Sequence, residues 1–180
     1  VCHAPGDAAA VAEYQRPKPR NAPYTPTTLV GARLPHVPLA VQQAGRLLES
    51  GGGAHRVEST IDLPATAGTA LLLLLSDSPR QGAWEAAAAA AEAATSVPVL
   101  PVVLTQSGAG TSSSREAAAS SAGVTVAQDT SGDWLRLRGV EPDGALLVRP
   151  DGHVAWRAPD SHGQLAQDLE RAVRAVMAKQ

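Results

Sequence analysis

The sequence predicts a layered α/β domain built on a mixed sheet. Three observations carry that prediction. The run from Thr69 to Leu75 (TALLLLL) is continuously apolar, the pattern of a strand buried on both faces. A second such run, Val97 to Thr105 (VPVLPVVLT), follows an Ala-rich helical stretch, so strand, helix and strand alternate. Gly144 to Arg157 (GALLVRPDGHVAWR) then reads as a hairpin. Its first half is an apolar strand and its second half alternates. Between them, Pro150 presets φ, Asp151 bonds its own backbone and Gly152 supplies a positive φ.

Residues 1–28 read as an extended, Pro-rich linker, because Pro5, Pro17, Pro19, Pro23 and Pro26 oppose both helix and central strand. The domain occupies 29–180. His36 to Val41 is predicted as an edge strand, where Pro38 is tolerated. Ser50 to Gly53 is predicted as a flexible loop, and Thr60 to Leu63 as a short strand. Ser78 is the expected N-cap, with Pro79 at the first helical position, of a helix over Gly82 to Thr95. The low-complexity stretch 107–114 is expected to be a loop, with an unusual Ser-rich insertion at 111–114. Arg115 to Ser121 is a short helix candidate and Val124 to Ala127 another strand. Asp129 to Val140 is a loop with a helical turn around Trp134. In the last helix, Ser161 and Gln164 form an expected capping box, and Leu165, Leu169, Val173 and Val176 share one face.

The 180 residues are enough for one domain with a sizeable core. With three Trp, two Tyr and no Phe, that core is made of Leu, Val and Ala. A net charge of −2 gives no electrostatic case for nucleic acid or an anionic membrane. The basic cluster Arg16 to Arg20 reads as a solvated linker. The single cysteine, Cys2, allows no intramolecular disulfide and no dithiol. No signal peptide is legible, and Leu71 to Leu75 is too short to span a bilayer. These features lead us to expect a soluble, cytoplasmic protein. A start at Val1 rather than Met favours a fragment or a processed product.

The hairpin sequence GALLVRPDGHVAWR resembles the closing hairpin of the C-terminal domain of FAD-dependent aromatic hydroxylases, the phenol hydroxylase and polyketide hydroxylase group of class A flavin monooxygenases. Gly31 to Leu39 (GARLPHVPL) resembles the G-x-R-x-P-H-x-x-L that opens the same domain. The two motifs bracket Gly31 to Arg157. The resemblance implies a thioredoxin-like fold, and the predicted hairpin-and-helix ending agrees with it. It also implies a parent enzyme that uses FAD, NAD(P)H and O₂ to hydroxylate an aromatic ring. The flavin site and catalytic groups would lie upstream, leaving no cofactor in this chain. The implied partners are the upstream FAD and substrate domains and, as in some relatives, a second subunit. Two stretches depart from the family pattern: Gln42-Gln43-Ala44 with the Gly run, and the serine insertion. The alternative reading is a free-standing thioredoxin-fold interaction module without enzymatic activity.

A thioredoxin places C-x-x-C where its first buried strand meets the next helix. Here that stretch is Ser76 to Trp84 and holds no cysteine, which excludes dithiol exchange and peroxidase chemistry there. Gly144 falls where such folds usually carry a cis-proline. The five histidines show no metal-ligand spacing. No G-x-S-x-G is present, and no G-x-G-x-x-G follows a strand. We therefore assign no catalytic, cofactor-binding or metal residue. The motif and interface candidates are Arg33, His36, Arg149, Asp151, His153 and Arg157. The four charged ones are expected to tie the opening segment to the hairpin, with one also facing the rest of a parent enzyme.

Overall fold

Leucine alternation in one strand sets the layering of the whole molecule. The structure is a computed structural model that describes residues 8–17, 21, 23–43, 45–46, 57–106 and 123–178. Helix α1 spans Ala8–Gln15, and strand β1 spans Leu39–Gln43. A 3-10 turn, Thr60–Asp62, runs into α2, Leu63–Ala67. Then come β2 Leu71–Ser76, α3 Gln81–Thr95 and β3 Val99–Gln106. β4 Thr125–Asp129, α4 Trp134–Leu137, β5 Ala145–Val148, β6 Val154–Ala158 and α5 Leu165–Met177 complete the order.

The six strands form one sheet in the order β1-β4-β3-β2-β5-β6. β2, β3 and β4 are parallel neighbours, while β1 and the β5–β6 hairpin pair antiparallel. Leu71, Leu73 and Leu75 face α3 and α5, packing with Trp84, Ala87, Ala91, Leu169 and Val173. Leu72 and Leu74 face the other way, against Leu34, Val37, Leu63, Trp134 and Leu137. Both faces of β2 are thus dry, as its unbroken apolar run requires. Trp84 and Trp156 meet edge-to-face with centroids 6.2 Å apart, within the favourable range for aromatic pairs.

The hairpin is irregular in one place. Leu147 pairs with Trp156, but Val148 pairs with Val154, so Ala155 is an extra residue on β6. This bulge sends Val154 and Trp156 to opposite faces of the sheet, although they are two residues apart.

Four sequence expectations need correction. The leading segment is not extended throughout: α1 fits between Pro5 and Pro17, and its Val11 is buried. Thr60 to Leu63 is helical, not a strand. The Ser59 hydroxyl accepts from the Ile61 N–H at 3.4 Å, Pro64 sits in the first turn of α2, and Thr60 donates to the Pro35 carbonyl. Ser78 does not cap α3. Its carbonyl accepts from the Gln81 N–H in a turn that precedes the helix, which starts after Arg80. The Ser161–Gln164 capping box does not form, because the Ser161 hydroxyl is committed to Asp143. The edge strand forms as expected but begins at Leu39, past the two prolines. The expected loops at 50–53 and 107–114 and the helix at 115–121 lie outside the described residues.

Candidate functional site

The two sequence motifs meet. Arg33 and His153 form an antiparallel bridge. Around it, the Gly31 N–H donates to the Val154 carbonyl at 2.8 Å, and Val154 donates back to Ala32 at 2.9 Å. The Leu34 N–H donates to the Gly152 carbonyl at 2.8 Å. The opening segment is therefore a short strand-like strap on the free edge of β6. The hydrogen bonds of this junction run between backbone groups.

The hairpin turn is closed from within. Gly152 donates to the Arg149 carbonyl and Arg149 to the His153 carbonyl, both at 2.9 Å. Gly152 adopts φ +81°, a conformation L side chains rarely take. The Asp151 carboxylate accepts from the His153 N–H at 3.1 Å and lies 3.2 Å from His153 Nδ1. It also pairs with Arg149. Partial burial works against its charge, but the His153 N–H and the charges of Arg149 and His153 prevail and hold it below the usual carboxylate range. Arg33 with Pro64, Pro150 and Asp151 lines a shallow pocket of about 140 Å³ beside the turn.

The remaining candidates sit elsewhere. His36 is exposed in the strap between two prolines of the motif. Arg157 is buried near the end of β6 and donates to the Gly139 carbonyl. All six candidates are therefore on or beside β6 and its strap, and His36 is exposed there.

Sequence reading missed two polar clusters. The first lies at the turn between β2 and α3, where a thioredoxin would carry its cysteines. There the Arg80 Nε–H donates to the Ser161 hydroxyl at 3.2 Å, and Ser161 donates to Asp143 Oδ2 at 2.6 Å. The Trp84 indole N–H donates to the Asp143 carbonyl at 2.7 Å. The Ser161 hydrogen bond is the main influence lowering Asp143 below the ordinary carboxylate range. A hydroxyl held by a carboxylate and a guanidinium, with no imidazole bonded to it among the described residues, is a structural link rather than an activated nucleophile. The second cluster, around Ser76, Trp134 and Arg138, joins residues from different elements, so no local motif announces it.

No group of three or more His, Cys, Asp or Glu among the described residues is placed to hold a metal ion. No described helix is long and apolar enough to cross a membrane. A second pocket, about 170 Å³, lies between Gln15, Gly31, Trp156 and Val176. Cofactor sites run from roughly 300 to 1,000 Å³. Neither pocket fits a flavin dinucleotide, and neither presents a glycine-rich turn at a helix N-terminus to cradle its phosphates.

Residues 100–179 match the family model "Aromatic-ring hydroxylase, C-terminal". The chain is 35% identical over 171 residues to tetracenomycin A2 monooxygenase-dioxygenase of Streptomyces glaucescens, covering 92% of this chain and 24% of that protein. Over 31 residues it is 64% identical to phenol 2-monooxygenase of a Pseudomonas species. Among solved structures, the flavin-dependent monooxygenase PieE, in complex with FAD and substrate, superposes with TM-score 0.58 at 34% identity, over 92% of this chain and 24% of that one. Aklavinone-11 hydroxylase, in a ternary complex with FAD and aklavinone, gives TM-score 0.58 at 30% identity, over 86% of this chain and 22% of that one. The chain thus spans about a quarter of the length of these relatives. Over residues 100–179 the chain thus carries the aromatic-ring hydroxylase C-terminal domain, and over most of its length it is similar to flavin-dependent hydroxylases.

Proposed function

We propose that the chain is the non-catalytic C-terminal domain of an FAD-dependent monooxygenase that hydroxylates an aromatic substrate with NAD(P)H and O₂. The observation that carries this reading is the junction itself. The two family-like motifs bond to each other through backbone and close the domain, and neither presents a nucleophile with a base. The domain serves as a thioredoxin-like scaffold that supports the upstream FAD and substrate domains and contributes to subunit contact in the cytoplasm. Residues 1–28 form the connection to those domains. Arg33, beside the shallow pocket, and Arg149, half exposed at the turn, are the charged groups available to face them.

The test removes residues 29–180 from the longer polypeptide. The truncated protein is expected to keep its flavin and its NAD(P)H oxidation while losing thermal stability or subunit association. A well-folded truncated protein that no longer reduces its flavin would count against a supporting role.

A further inference from the structure

The carboxyl ends of parallel strands are where open α/β sheets bind ligands. On the α4 face, β2 ends in Ser76 and β3 in Gln106. Side chains two residues apart on a strand share a face. Ser76 therefore follows Leu74, and Gln106 follows Leu104, into the layer that holds Trp134. Arg138 enters this layer from the end of α4. It is only 8% exposed, and so is Ser76.

The hydrogen-bond inventory is unbalanced towards donors. The Ser76 hydroxyl oxygen accepts from Arg138 Nη1 at 2.9 Å and from the Trp134 indole N–H at 3.2 Å. With its oxygen so occupied, Ser76 has its own proton left to donate. The Arg138 Nε–H and the Gln106 amide nitrogen are buried with no acceptor among the described residues. Burial works against the Arg138 charge, and Glu141 offsets it only through space. Buried donors normally have acceptors, and a buried guanidinium normally has an anion.

We infer that Arg138 and Ser76 form a receptor for one carboxylate supplied from outside the described domain. The guanidinium would provide charge and two-point recognition, and the serine proton a third hydrogen bond. The carboxylate has two sources: a free small carboxylate, or an acidic side chain of the upstream polypeptide. The second source rests on the function proposed above; the receptor does not.

The probe is sodium formate, titrated into the 180-residue chain against sodium chloride at matched ionic strength, with the Arg138 Nε–H resonance followed by NMR. Saturable movement with formate alone, weakened about tenfold in Ser76→Ala by loss of one charge-assisted hydrogen bond, establishes the receptor and a free source. A resonance unmoved by formate, but displaced in the longer polypeptide and restored by cleavage within residues 1–28, establishes the upstream source. A resonance identical in formate, in chloride and in the longer polypeptide overturns the proposal. Arg138→Lys, which keeps the charge, covers any failure of Ser76→Ala to fold: formate must still shift its melting temperature relative to chloride.

Discussion

The backbone N–H of Leu34 donates to the carbonyl of Gly152 at 2.8 Å, which fastens the opening strap to the hairpin turn. That turn depends on the positive φ of Gly152. Gly152→Val is therefore expected to strain the turn and loosen the strap together, lowering stability by about 1–2 kcal/mol from the left-handed backbone alone. Urea unfolding measures this as a lower midpoint at an unchanged slope. An unchanged midpoint would mean that the turn is not held in this conformation.

Gly144 illustrates a different constraint. A Cβ there would lie 2.6 Å from the carbonyl oxygens of both Ala158 and Pro159. Gly144→Ala must push backbone apart and is expected to cost about 1–3 kcal/mol, the range for overpacking. Gly82, in α3, has nothing within 4 Å of its added Cβ. Gly82→Ala is expected to stabilise by about 0.5–1 kcal/mol through the unfolded chain. Thermal melts of the two variants should move in opposite directions.

Asp129 is fully buried at the end of β4. Its Oδ1 accepts from the Ser131 N–H, the Ser131 hydroxyl and the Gly132 N–H, each at 2.9 Å. Its Oδ2 accepts from the Trp134 N–H at 2.8 Å and so fixes the start of α4. Asp129→Ala leaves these donors stranded and is expected to cost about 2–4 kcal/mol. Asp129→Asn, which keeps one acceptor oxygen, should lose less. Chemical denaturation of the pair checks the order.

The pH dependence has a definite sign. Ser161 holds Asp143 below the ordinary carboxylate value in the folded state. The stability this contributes is complete above the unfolded value, roughly pH 4. It is lost as pH falls through the folded value. Ser161→Ala should therefore be most destabilising at neutral pH, with the gap to wild type narrowing below about pH 4. Melting temperatures of both proteins across acid pH test this. A gap that widens on acidification would contradict the assignment.

What the sequence made legible followed from periodicity and from turn chemistry. The leucine run of β2 read as a strand dry on both faces rather than a buried helix turn because of its length and the Ser-Asp-Ser-Pro stop after it, and the Pro-Asp-Gly turn marked the hairpin. The strap was legible only as a motif; that Leu34 reaches Gly152 depends on a long-range pairing no local pattern encodes. The helical turn at Thr60 was missed because a four-residue stretch has too short a period to separate strand from 3-10 turn, and Thr60 is fixed by the distant Pro35 carbonyl. The Ser161 cap failed for a related reason: a nearby carboxylate, Asp143, competes for the hydroxyl. Arg138 gave no signal at all, since its burial comes from the packing of α4 under β2.

Under the proposed function, this domain supports a flavin enzyme without holding the flavin. Equilibrium dialysis of FAD against the 180-residue chain, beside the longer polypeptide, decides this. Stoichiometric flavin is expected in the longer polypeptide, and none is expected to be retained by this chain. Stoichiometric FAD bound to the 180-residue chain would contradict it.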